Sequence, residues 1–169
     1  MTAGQALQAG EIATSIDKVT DISSKTNNIA TGISMFNLQQ TTPQVVGNFG
    51  QIIDQLSALV SGLNAMESPK GQSSGSSPFS EADQQKIYEA LTTFVKVHQQ
   101  SLSTLIGKQG IISMTPYSVT ISAALRSSES VIDSLAYAII GLVPTYADKA
   151  KTEKSSLEAT LAQSISAYN

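Results

Sequence analysis

The 169 residues include no cysteine, which excludes disulfide scaffolds, thiol nucleophiles and thiolate zinc sites and leaves stability to packing. Tryptophan is absent as well, and His98 is the single histidine. A metal site would therefore need carboxylates, yet there is no calcium-loop pattern and no helix with two inward carboxylates, so neither metal nor cofactor is assigned. Charge is scarce: 14% of residues are charged, against about a quarter in an ordinary soluble domain. The polar surface must come instead from 25 Ser and 15 Thr, a balance that fits an extracellular or cell-wall setting. With a net charge of −3 and only ten scattered Lys and Arg, the chain is a poor nucleic-acid binder. No run of 18 apolar residues occurs and no apolar block follows Met1. No transmembrane segment and no export signal are expected, so a secreted form would be a processed piece. Asn-X-Ser/Thr is missing too, which leaves O-linkage as the route for any sugar.

What is present is apolar residues at helical spacing in nearly every long segment, with no strand-like alternation. The length suits one domain, residues 1–169, and the periodicity predicts five helices joined mostly by short connections, an antiparallel bundle. The first is expected over about Gln5 to Phe36, on the stripe Ile12, Ile16, Val19, Ile22, Ile29, Ile33 and Phe36. Thr42-Pro43 reads as cap and first residue of a second helix, whose apolar face from Val45 to Leu63 is wider than one neighbour needs. Residues 67–79 are rich in Gly, Ser and Pro and read as a surface loop. Ser80-Glu81-Ala82-Asp83 resembles a capping box and opens a third helix to about Lys108, with the stripe Ile87, Leu91, Phe94, His98, Leu102 and Leu105, ended by Gly107 to Gly110. Thr115-Pro116 starts a fourth. Its seam of Ile121, Leu125, Ser128, Ile132, Leu135, Ile139 and Leu142 keeps strict four–three spacing, so one hydroxyl sits in an apolar row. Thr145 with Asp148 caps the fifth, whose inner face is Ala150, Leu157, Leu161, Ile165 and Tyr168.

Catalysis has little to work with. A Ser-His-Asp triad would have to use His98, and no Gly-X-Ser-X-Gly elbow exists. Two readings of His98 stand: a helix-face residue with one nitrogen hydrogen-bonded and the other near solvent, or a group that lines a ligand site. Ser128 also has two, because a helical Ser can bond back to the carbonyl four residues earlier, or can mark where the polar end of a guest molecule sits. A core of Ile, Leu, Val, Ala and four Phe, with small Ala and Ser spread along every helix, either fills ordinarily or leaves a dry gap for an apolar ligand.

The runs Ile12–Thr20 and Leu56–Asn64, the capping sequence Ser80–Asp83, the run Ser101–Lys108 and the Leu142-Val143-Pro144 motif, in that order, are similar to the fungal hydrophobic-surface-binding protein family. Within it they resemble the ligand-binding domains of antigenic cell-wall galactomannoproteins. The resemblance spans about residues 10–168. It implies a cysteine-free five-helix bundle with a central hydrophobic cavity for long-chain fatty acids, secreted or wall-anchored and without enzymatic activity. The family has no head-group motif to carry over, so candidate residues rest on the helical stripes. For the tail these are Phe36 on the first helix, Phe49, Ile53 and Leu56 on the second, Phe94 and Leu105 on the third, and Leu125, Ile132 and Leu135 on the fourth. No Arg or Lys lies on an inward stripe, so the polar end is expected at neutral donors: Ser128, with Ser101 or Ser103 and Gln99. Two other functions fit the same stripes, an interface-adsorbing protein whose helices open on hydrophobic surfaces and recruit partners, or a structural wall domain with a filled core. Broad apolar faces on the second and fourth helices would also permit a homodimer.

Overall fold

The computed structural model describes residues 8–65 and 79–168. These form five α-helices: α1 Ala9–Thr31, α2 Leu38–Ala65, α3 Glu81–Ile112, α4 Tyr117–Leu142 and α5 Ala147–Ala167, with a short 3-10 turn at Pro144–Tyr146 before the last. The segment read as a loop lies outside the described residues except for Phe79.

Most boundaries follow the local chemistry of the sequence. The Ser80 hydroxyl accepts the Asp83 N–H at 3.2 Å, which fixes the start of α3. The Thr115 hydroxyl accepts from Tyr117 N–H at 3.2 Å behind Pro116 and starts α4. Four boundaries differ from expectation. Helix α1 begins at Ala9 rather than about Gln5, because Gln8 is extended and serves as its N-cap. Helix α1 stops at Thr31 rather than Phe36, because the Asn37 side chain bonds both Ser34 N–H and the Gly32 carbonyl, each at 2.8 Å, and folds residues 32–37 into a turn. Helix α2 begins at Leu38, so Pro43 lies inside it. Proline removes one N–H there, but the carbonyl it would have served belongs to exposed Gln39 near the helix start. Helix α3 runs through Gly107 and Gly110, since its last turn buries Ile112. Before α5, Thr145 makes no side-chain cap; its N–H donates instead to the Gln84 side chain at 3.0 Å, joining the start of α5 to that of α3.

Hydrogen bonds between helices give their directions. Ser23 meets His98, Asn27 meets Thr104 and the Ile33 carbonyl meets Lys108, so α1 and α3 advance together. Gln99 donates to Ser156 and Thr160, and the Tyr168 hydroxyl to the Leu105 carbonyl, so α5 runs the same way along the other side of α3. The chain must therefore return through α2 and α4, and consecutive helices alternate in direction. The main neighbours are α1 with α3, α3 with α5, α5 with α4, α4 with α2 and α2 with α1, a closed ring. This explains the wide apolar face of α2, which serves α1 on one side and α4 on the other. Helix axes about 9 Å apart in a five-membered ring stand roughly 8 Å from its centre, so large side chains must fill the middle. Phe49, Phe94, Leu102, Leu105, Leu125 and Leu135 are among those that do, each fully buried.

Candidate functional site

The middle of this apolar ring holds a polar group that no ion pair accompanies. His98 is fully buried on α3. Its Nδ1 shares a 2.8 Å hydrogen bond with the Ser23 hydroxyl of α1, and its Nε2 has no partner. Phe94, one turn earlier, stacks on the imidazole at 5.1 Å between ring centres, and Phe49 of α2 meets it edge-on at 6.0 Å. Burial alone lowers the His98 pKa from 6.5 to about 4, so the ring is neutral near pH 7. Whichever nitrogen carries the proton, Nε2 is a lone donor or a lone acceptor in an apolar surround.

Four more polar atoms share that condition: the hydroxyls of Ser101 on α3, Ser128 on α4 and Thr42 on α2 in the core, and that of half-buried Thr92 on the flank of α3, are buried without a hydrogen-bond partner. Helical Ser and Thr usually bond back to the carbonyl four residues earlier. Thr20, Thr26, Thr93, Thr104 and Ser134 of this chain do so. Ser128 and Ser101 do not, which removes the back-bonding reading of Ser128. Each unpaired buried hydroxyl costs about 1–3 kcal/mol, and such groups persist where something else uses them. Ser101 lies one turn beyond His98. Ser128 lies five residues before Asp133, whose carboxylate pairs with Lys154 of α5 at 2.8 Å. Gln99 of α3 bonds Ser156, two residues past Lys154, so α5 links the middle of α4 to the middle of α3.

Of the residues proposed from the sequence to hold a ligand, Phe49, Leu56, Phe94, Leu105, Leu125, Ile132, Leu135, Ser101 and Ser128 are interior. Four are placed otherwise. Phe36 is 100% exposed, because α1 ends before it and the stripe no longer carries it inward. Ile53 is half-buried on the flank of α2, outside the core cluster. Ser103 is exposed, and Gln99 faces α5; both open onto a polar surface cleft of about 640 Å³ beside Asn27, Lys96, Gln100 and Thr104 rather than into the interior. The expectation that the second nitrogen of His98 nears solvent also fails. Ser23 and Thr42 were missed. Ser23 belongs to the row Ile16, Val19, Ser23, Thr26, Ala30, all buried, and a hydroxyl set in an apolar row is the same sign that Ser128 gave.

Ser23 and His98 form a pair, but both are shut from solvent and no Asp or Glu is buried among the described residues. Nor, among those residues, does any group of His, Asp and Glu form a metal cage, and no single helix is long and apolar enough to cross a membrane.

Solved structures share this ring of five helices closed around an apolar interior. AfMp4p in complex with palmitic acid superposes with a TM-score of 0.82 at 14% identity, covering 95% of this chain and 99% of that one. Ligand-binding domain 1 of the Penicillium marneffei MP1 protein, complexed with arachidonic acids, gives 0.77 at 15% identity over 92% of this chain and 95% of that one. Domain 2 of the same protein, with multiple arachidonic acids, gives 0.73 at 14% identity, covering 92% of each chain. No family model and no curated protein matches the sequence itself. At such identities the likeness establishes the fold.

Proposed function

We propose that the chain is a non-enzymatic carrier that sequesters long-chain fatty acids inside the helical ring, in a secreted or cell-wall setting. The observation that carries this reading is the set of unpaired polar atoms facing an otherwise apolar interior: His98 Nε2 and the Ser101, Ser128 and Thr42 hydroxyls. A carboxyl end lodged among them gains hydrogen bonds that the protein alone does not make, while the tail displaces or separates the surrounding Phe, Leu and Ile side chains. The structures of the same fold that hold palmitic or arachidonic acids support the choice of ligand class. At about 0.8 kcal/mol per buried methylene, a palmitoyl tail offers roughly 12 kcal/mol before the costs of binding. Micromolar affinity is therefore reachable without a salt bridge. The scarcity of charge and the many hydroxyls favour the extracellular setting.

Ser101→Ala and Ser128→Ala test the head-group assignment because stability and binding should move in opposite directions. Removing an unpaired hydroxyl from the core should leave the ligand-free protein as stable or about 1 kcal/mol more stable. Each change should weaken palmitic acid binding several-fold and narrow the preference for free acid over methyl ester. Calorimetric titration beside thermal melts reads both. Affinity and preference unchanged in the double variant would place the carboxyl elsewhere.

A further inference from the structure

The geometry points to a second, external lipid contact: the end of the bundle formed by the α1–α2 and α3–α4 turns docks on an anionic lipid bilayer. Both turns lie at one end because α1 and α3 run together, and the Lys108 ammonium, donating to the Ile33 carbonyl at 2.8 Å, ties one turn to the helix that enters the other. From these turns and the first turn of α4 project Met35, Phe36, Met114 and Val119, exposed by 59%, 100%, 65% and 74%. These are four of the five large apolar side chains so exposed among the described residues; the fifth, Tyr137, is near the far end of α4. Scattered exposed apolar residues need no explanation, but several gathered on adjoining turns do.

Charge is distributed to match. Residues 22–53, 90–128 and 159–168, the half of the bundle on the side of this end, contain none of the thirteen Asp and Glu and carry Lys25, Lys96, Lys108 and Arg126, of which Lys25 pairs with Asp21 at the border of that half at 2.8 Å. That half is formally +4, and the remaining residues are −7, within the total of −3. An acid-free, cationic end tipped with Phe and Met is complementary to a surface that is anionic at the headgroups and apolar just beneath. A soluble acidic partner would match the cations and leave the apolar tips without a counterpart. The unpaired polar atoms assigned to the fatty-acid carboxyl belong to helices of the same half, so docking at this end would bring that site towards the lipid from which a free acid partitions.

The reporter is Phe36→Trp, a clean fluorophore in a chain without tryptophan, mixed with phosphatidylcholine vesicles containing about one-third phosphatidylserine. Emission should shift to the blue, and the protein should sediment with the vesicles. Met35→Asp with Met114→Asp should lower partitioning at least tenfold, with melting temperature and affinity for monomeric palmitic acid unchanged because both methionines are surface residues. Pure phosphatidylcholine vesicles, or high salt, should bind several-fold less. Absence of vesicle binding, or binding that the paired substitution leaves intact, overturns the proposal, as does equal partitioning into both vesicle types. A solution dimer abolished by the same substitutions, with no vesicle binding, would assign this end to a second copy and overturn it too. Vesicle docking and palmitic acid binding are read separately, so loss of one reading leaves the other standing.

Discussion

Replacing Phe94 by alanine should lower the free energy of unfolding by about 3–5 kcal/mol, while replacing Phe36 should change it by less than about 0.5 kcal/mol. From the sequence the two residues look alike, each a phenylalanine on an apolar helical stripe. In the fold, Phe94 is fully buried and stacked on His98 at the centre of the ring, whereas Phe36 stands in water on a turn. Truncation at Phe94 removes the transfer free energy of the ring and leaves a void beside His98, whose other partners are Ser23 of α1 and Phe49 of α2. That void lies where the tail is proposed to bind, so palmitic acid should restore stability to the variant by more than it adds to the parent protein. A parent protein in hundredfold excess of ligand over Kd gains about 2.7 kcal/mol. Chemical denaturation with and without palmitic acid checks both statements, and equal losses at the two phenylalanines would refute the placement of the core.

Between pH 6.5 and 4, acid should destabilise the protein through His98. His98 has an ordinary pKa of 6.5 when unfolded and about 4 when folded, lowered by burial. Between those values the unfolded chain binds the proton and the native state does not, so stability is full above pH 6.5 and falls as pH drops towards 4. The loss attributable to His98 approaches about 3 kcal/mol over that window. Its surroundings hold nothing to offset this: Ser23 from α1, Phe49 from α2 and Phe94 and Ser101 from α3 are all uncharged, and no Asp or Glu is buried among the described residues. His98→Gln should remove this part of the pH dependence, whatever its effect at pH 7. A bound fatty acid should flatten the slope as well, because a carboxylate opposite Nε2 favours the imidazolium. Unfolding curves of parent and variant at pH 7, 5.5 and 4 measure the difference. Parallel acid losses in the two would mean that His98 is not the sensor.

The same side chains show how far the sequence could be read. Helix count, the Ser80 and Thr115 starts, the α4 seam and the α3 stripe from Ile87 to Leu105 are legible, because apolar spacing and capping chemistry are local; Ala90, Val95 and Ile112 of α3 and Ala136 of α4 are buried beside those stripes. The start of α2 is not legible. Thr42-Pro43 carries a good start signal, but Asn37 forms a turn just upstream, and proline is tolerated so near a helix start when the unserved carbonyl belongs to an exposed residue. That turn also placed Phe36 outside, since a stripe has meaning only while its helix lasts. Within α3 the stripe from Ile87 to Leu105 holds its period and puts His98 inward, while Ser103, one residue past Leu102, falls on the exposed side. Gln99 is a different case: it is diverted by Ser156 and Thr160, partners 57 and 61 residues away that only the packing of α5 on α3 reveals. The pairing of Ser23 with His98 across 75 residues was likewise beyond local signals, because it depends on α1 and α3 running in parallel.

The central claim is that the interior of the ring accepts a fatty acid, and native mass spectrometry tests it most directly. Protein incubated with palmitic acid, then freed of excess, should show a discrete mass increment of one or more whole palmitic acid molecules, and Ser101→Ala with Ser128→Ala should retain less under the same conditions. A parent protein that carries no palmitic or arachidonic acid by this measurement, and that fails to displace a fluorescent fatty acid in solution, would contradict the claim.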